Sequence, residues 1–243
     1  MKSLVILFIA ISGFVLPTHI KGQAIQSDSI FYQSAVYNAL AFYQQSAGDQ
    51  SRLFNGREYK PYRISFVKGH PFFISERFAE GSIIYEDVLY ENVQILYDEV
   101  KELVIVETGV SIEMIPQRIG QFTIAGHTFV KLLKDSLNNT LTGGFYERLY
   151  KGKIEVYKKE KKTISEDLSD TEGVRGIVTT KKYYYIRKCE RFYLVKNKNS
   201  MYEVLKDRKS EIQRFIKSQG LDFRNDTDNT LAQVAGYYDQ LTR

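Results

Sequence analysis

The spacing of apolar residues changes twice along the chain, and each change marks a change of structure. Over residues 28–46, DSIFYQSAVYNALAFYQQS, the positions Ile30, Ala35, Val36, Leu40 and Phe42 or Tyr43 recur near helical spacing, which predicts a helix. Ser27 or Asp28 offers a side-chain acceptor for its first backbone N–H groups, and Gly48 offers a stop. From Leu53 the pattern breaks into short runs separated by turn residues, the signature of an antiparallel sheet. The runs are Tyr59–Val67, Pro71–Ser75, Ser82–Tyr85, Val88–Tyr97, Glu102–Glu107, Ser111–Ile115, Gln121–Ala125 and Thr128–Leu132. Asn55-Gly56 and five further glycines from Gly69 to Gly126 punctuate them. Val93, Ile95 and Tyr97 alternate with polar neighbours, as do Phe122 and Ile124, so these two runs bury one face.

Two hairpins follow. Gly144–Tyr150 and Lys153–Lys159 flank Lys151-Gly152, and Lys182–Arg187 and Phe192–Lys196 flank Lys188–Arg191. Between them, 164–176 is rich in Asp, Glu, Ser and Gly and reads as an exposed loop. The end of the chain returns to helical spacing. Ser200 starts a short turn through Leu205, Ile212, Phe215 and Ile216 form a stripe that Gly220 ends, and Asn225 or Asp226 caps a last helix carrying Leu231, Val234, Tyr238 and Leu241. Such short amphipathic helices must pack on a partner surface. The fold class expected is α+β: a curved antiparallel β-meander of about 10 strands, curled because flat sheets of that width are rare, with an N-terminal helix and two short C-terminal helices. The division expected is 1–22 signal segment, 23–52 helical segment, 53–198 β domain and 199–243 helical segment packed on the sheet.

The first residues refine this picture. Lys2 followed by a mostly apolar run from Leu4 to Leu16 matches a secretory signal peptide, with cleavage expected after Gly22 or after Ala24. The run is shorter than the roughly 20 apolar residues of a spanning helix. No second run approaches that length, so no transmembrane segment is expected in the mature chain. The only cysteine, Cys189, lies far from the signal segment, so neither a lipid-anchored N-terminus nor an internal disulfide is expected. Removing Lys2 and Lys21 with residues 1–22 lowers the formal charge from +5 to +3, too mild to suggest a nucleic-acid partner.

Candidate chemistry is sparse. His70 and His127 both follow glycine in predicted turns and read as surface histidines; no arrangement of cysteines or histidines suggests a metal site. Cys189 sits in a hairpin turn beside Lys188 and Arg191, cations that would lower a thiol pKa, but it reads as an incidental free thiol. Asp222, Asp226 and Asp228 lack the glycine and closing glutamate of a calcium loop and read as helix caps. Glu86-Asp87 and Asp98-Glu99 read as turn carboxylates rather than a catalytic pair. No catalytic residue, metal ligand or cofactor is expected. Two features exceed background. KGKIEVYKKEKK, residues 151–162, carries six lysines; it reads as a lysine-guarded edge strand, or alternatively as a peripheral contact to an anionic membrane surface. The chain also has 18 Tyr and 15 Phe but no Trp, with Tyr59, Tyr62, Phe72, Phe73, Tyr85, Tyr90 and Tyr97 gathered in the predicted sheet. They read as core and rim, or as an aromatic face for a glycan or protein partner.

Several runs resemble a set of uncharacterised exported proteins common in Bacteroidota: LFNGREYKPY, KGHPFF, GSIIYEDVLYENVQILYDEVKELVIV, GGFYERLYKGKIEVYKKEKK, YYYIRKCERFYLVKNK and the helical tail from EIQRFIKSQGLDF. The resemblance covers nearly all of the chain after the signal segment. It implies a strand-rich cell-envelope protein, periplasmic or outer-membrane-associated or extracellular, and carries no assigned activity or site residue. Asp28-Ser29-Ile30 and Asp135-Ser136-Leu137 also resemble the short O-glycosylation acceptor of that phylum. The function expected is a non-catalytic binding or assembly module with an unidentified envelope partner. The alternatives are a periplasmic carrier of an apolar ligand, held between sheet and helices, and a carboxylate-based hydrolase.

Overall fold

The computed structural model describes residues 56–134, 140–167 and 175–242, together with Ala35 and Leu53. The signal segment, both O-glycosylation tripeptides and, apart from helical Ala35, the helix expected over 28–46 lie outside the described residues.

Among the described residues, twelve strands make one sheet. They are β1 (Arg57–Glu58), β2 (Phe66–Lys68), β3 (Ala79–Tyr85), β4 (Val88–Asp98), β5 (Leu103–Glu107), β6 (Ser111–Glu113), β7 (Ile119–Ile124), β8 (His127–Leu132), β9 (Gly144–Lys151), β10 (Glu155–Asp167), β11 (Arg175–Lys188) and β12 (Arg191–Val195). The spatial order is β1-β6-β5-β4-β3-β7-β8-β9-β10-β11-β12, with β2 beside β11. Every pair is antiparallel except β2–β11. Three hairpins close with two residues at positive φ, Glu86-Asp87, Ala125-Gly126 and Cys189-Glu190. That is the backbone whose twist suits a tight hairpin.

The sheet rolls onto itself. Tyr97 on β4 lies 5.1 Å from the Phe129 ring on β8 and 6.1 Å from the Phe145 ring on β9. Four steps of the strand order separate β4 from β9, about 19 Å in a flat sheet. The roll encloses a first core in which Phe122 and Phe129 stack at 4.9 Å, with Ile83, Ile95, Val104 and Met114 buried beside them. Further along the strand order, Ile154 just before β10 and Val156, Ile186 and Val195 of β10–β12 form part of a second core.

Three helices cover that second core: α1 (Lys198–Val204), α2 (Lys209–Ser218) and α3 (Thr227–Leu241). They add Met201, Leu205, Ile212, Ile216, Leu231 and Val234. The expected turn from Ser200 is thus a helix, and its cap is Asn197: Asn197 Oδ1 accepts from the Ser200 N–H at 3.0 Å, while Ser200 Oγ accepts from the Asn197 N–H. Gly220, at φ +62, ends α2 as expected. Asp226 caps α3. Asp239 pins that helix to the sheet by accepting from the N–H groups of Lys153, at 2.6 Å, and Ile154, at 3.2 Å.

Three expectations need correction. The runs Tyr59–Val67 and Pro71–Ser75 are not strands but one irregular strap, interrupted only by β2 and by a single bridge, Phe72 to Asp98. Pro61 and Pro71 lack the N–H that a ladder needs. The loop expected over 164–176 is too long, since β10 continues to Asp167 and β11 starts at Arg175. β-branched residues carry that ladder, including Thr163 and Thr179, whose hydroxyls meet at 2.9 Å. The lysine-rich stretch is an edge only in part, because β9 pairs with β10 over Glu155–Lys158 and β11 alone pairs with it beyond.

Candidate functional site

The strap from Tyr59 to Glu76 is tied down at three places. At its start, Arg57 donates to the Glu113 carboxylate at 2.5 Å across the β1–β6 pair. In its middle, β2 pairs with Gly176 and Ile177 of β11. At its end, Phe73 enters the first core, 4.9 Å edge-on to Phe129. Burying Phe73 while the chain turns back forces Ile74 to φ +52 and leaves it 59% exposed. Left-handed backbone is strained for a β-branched side chain.

Between these ties the strap folds around a cleft of about 670 Å3, walled by its own residues and by Leu96 of β4. Tyr59, Tyr62, Phe66 and Phe72 supply its aromatic walls, and Ser65, His70 and Glu76 its polar ones. The rings are organised: Tyr62 packs edge-on against Phe66 at 5.5 Å and Phe72 at 6.4 Å, and the Lys101 ammonium lies 4.0 Å from the Tyr62 ring centre.

Beneath the strap lies the β4–β5 turn, whose carboxylates are buried rather than exposed as the sequence suggested. Asp98 is fully buried and Glu99 is 4% exposed. Asp98 accepts from the Tyr62 hydroxyl and from the N–H groups of Val100 and Lys101, each at 2.9 Å. Glu99 pairs with Lys162 of β10 at 3.0 Å, and Lys162 donates to the carbonyls of His70, at 3.3 Å, and Phe72, at 2.5 Å. This turn can reach β10 because β9 pairs with it only from Glu155 to Lys158. Gly144, at φ +142, leaves room for the neighbouring Glu102–Lys159 pair, which a Cβ there would strike. Burial pushes the Glu99 carboxyl up to about 7, only partly opposed by Lys162. Burial, then the Asp98 and Glu113 charges, raises the Tyr59 hydroxyl to about 12.

Two polar atoms of the cleft residues have no hydrogen-bond partner among the described residues and are closed to solvent: the Tyr59 hydroxyl and His70 Nδ1. Such atoms cost stability.

A second polar cluster lies between the two cores. His127 Nδ1 meets Glu147 at 2.6 Å, and Lys158 meets Glu147 at 2.5 Å and Asp228 at 2.8 Å. Tyr184 donates to Asp228 at 2.6 Å. Burial works against the Lys158 charge, but hydrogen bonds to Asp228 and Glu147 outweigh it and hold its pKa above the usual lysine value. Burial works against the Asp228 charge too, and Lys158 and Tyr184 keep it below the usual carboxylate range. Asp228 is therefore an anchor from α3 to the sheet and not the helix cap expected of it.

The remaining candidates fall elsewhere. Neither histidine is a plain surface residue, since His70 lines the cleft and His127 is orientated by Glu147. Cys189 is exposed in its turn, and Lys188 beside it is engaged by Asp207 at 2.6 Å. Glu86 is paired with Arg118 at 2.6 Å, and Asp222 accepts from the Arg224 and Asn225 N–H groups. Of the six lysines in 151–162, Lys158, Lys159 and Lys162 are consumed by ion pairs in the interior. Among the described residues no group of three His, Cys, Asp or Glu side chains is placed to hold a metal, and no helix is long and apolar enough to cross a membrane.

No family model, curated protein or solved structure matches the chain.

Proposed function

We propose that the protein is an exported, non-catalytic binding or assembly module of the cell envelope, and that the strap cleft is where it makes contact. The observation that carries this reading is the cleft itself: aromatic walls under a strained strap, with the Tyr59 hydroxyl and His70 Nδ1 left without partners. A fold accepts such costs where they serve recognition. The signal-like residues 1–22 and the resemblance to exported Bacteroidota proteins support the compartment. The non-catalytic part is supported by how the carboxylates beside the cleft are used, Asp98 by Tyr62 and two backbone amides, Glu99 by Lys162. No specific observation favours the apolar-carrier reading: the interface between helices and sheet is packed by side chains of the second core.

The test is a photo-crosslinking residue at Val67, which is 47% exposed on β2, in cells that produce the protein. The control site is Lys217 on α2, exposed on the helical side. The expected result is an adduct from Val67 but not Lys217, recovered with the envelope after fractionation. Recovery in the cytoplasm, or equal adducts from both sites, would overturn the proposal.

A further inference from the structure

Resting on that reading of the cleft, the structure assigns a ligand class: we propose that the strap cleft binds a saccharide. The argument is the pairing of ring surfaces with two-way hydrogen-bonding groups. A sugar ring presents an apolar C–H face and a rim of hydroxyls that both donate and accept. Tyr59, Tyr62, Phe66 and Phe72 provide faces and edges for the former. For the latter, the Tyr59 hydroxyl donates or accepts, and so does an imidazole nitrogen such as His70 Nδ1, according to its tautomer. Ser65 and Glu76 add a hydroxyl and a carboxylate to the lining.

Other ligand classes fit less well. A purely apolar ligand would leave the Tyr59 and His70 groups unpaired in a drier site, which a binding site of this make-up penalises. A compact anion would need convergent charge inside the cleft, but Lys101 is stacked on Tyr62 and Lys162 is engaged by Glu99 and by the His70 and Phe72 carbonyls. Lys60, Arg63 and Lys68 are exposed on the same strap and give it positive charge, so an acidic sugar is favoured over a neutral one by longer-range attraction. Because the two unpartnered atoms are closed to solvent, saccharide entry is coupled to a shift of the strap away from the Lys162 contacts at the His70 and Phe72 carbonyls.

The experiment titrates the full chain with cellotetraose, chitotetraose, maltotetraose and tetragalacturonate, by calorimetry and by NMR of the histidine rings. The expected result is saturable binding of at least one probe, tightest for tetragalacturonate, that moves the His70 ring signals and leaves those of His127 in place. Tyr59→Phe is the decisive variant, because removing an unpartnered hydroxyl raises the unfolding midpoint while weakening the probe about 5-fold. His70→Asn, which keeps an amide near the Nδ1 position, retains binding that His70→Phe loses. Four outcomes overturn the inference: no probe binding at millimolar concentration, binding that moves His127 instead, Tyr59→Phe with unchanged affinity, or His70→Phe with unchanged affinity. A protein adduct at Val67 alongside failure of every probe would reject the saccharide and leave the binding-module reading standing.

Discussion

Two of the sites where the protein buries charge treat it in opposite ways. In the seam between the two cores, Glu147, Lys158, Asp228 and Tyr184 are mutually satisfied, and their partners hold Lys158 and Asp228 firmly charged. Under the strap, burial moves Glu99 towards neutrality, and two nearby polar atoms lack partners. The same sheet face carries both, since Lys158 and Lys162 are an even number of residues apart on β10. The difference teaches which site is structural. A satisfied network ties α3 to the sheet and leaves nothing over for a ligand. An unsatisfied one costs stability in the free protein and has capacity to spare.

The largest expected effect comes from breaking the seam. Lys158→Met keeps the aliphatic stem but leaves Glu147, 4% exposed, and Asp228 without their cation. The expected loss is about 3–5 kcal/mol, the usual result of stranding one half of a buried pair. Urea unfolding measures it, and Lys158→Met combined with Glu147→Gln should recover part of the loss. Lys162→Met under the strap should cost only about 1–2 kcal/mol, because the Glu99 it abandons can take up a proton. Equal losses from Lys158→Met and Lys162→Met would erase the distinction between the two sites.

Next in size is a pH effect confined to the strap site. Glu99 is raised from 4.5 to about 7 in the folded protein, so the folded state holds a proton that the unfolded chain releases. The stability this contributes is fully present below pH 4.5 and is lost as pH rises through about 7. The full span corresponds to on the order of 3 kcal/mol. Unfolding free energies at pH 5 and pH 7.5 should therefore fall more in the wild type than in Glu99→Gln, whose side chain does not titrate. Parallel pH profiles for the two proteins would show that Glu99 keeps an ordinary pKa.

The sequence made some of this legible and hid the rest for physical reasons. The antiparallel strands from Ser82 to Leu132 were readable because their runs are short, turn residues separate them, and apolar residues alternate in β4 and β7; β3 to β8 sit where those runs fall, but the expected simple meander is broken where β7 returns to pair with β3 rather than β6. The C-terminal stripes likewise marked α2 and α3. The site was harder. Tyr59, Tyr62 and Phe72 stood out as aromatic, but a proline-broken strap and a strand have similar composition, so they were assigned to the sheet. Asp98-Glu99 looked like an exposed turn because turns usually are, and only the strap and β10, distant in sequence, cover this one. In KGKIEVYKKEKK parity held part of the signal: Val156, Lys158, Glu160 and Lys162 share one face, and Val156 is wholly buried. Parity does not find Lys159, which is buried and paired with Glu102 on the opposite face, where Lys161 is exposed. Which acids the buried lysines meet depends on contacts from the β4–β5 turn and α3, far away in sequence.

The smallest effect sharpens the comparison at a single backbone position. Ile74 is left-handed, exposed and β-branched, so its side chain gains little from the fold while its backbone is strained. Asn tolerates that backbone far better, because its short polar side chain can bond locally. If the strain exists only to turn Phe73 into the core, Ile74→Asn should stabilise the protein by about 1 kcal/mol and change nothing else. If the strap must move to admit a ligand, the same strain also favours its displacement. The substitution would then stabilise the free protein and weaken the tightest oligosaccharide probe together. Thermal unfolding and titration of the one variant separate the two cases. The seam provides the control: none of Glu147, Lys158, Tyr184 or Asp228 has a positive φ, so strain of this kind is absent there.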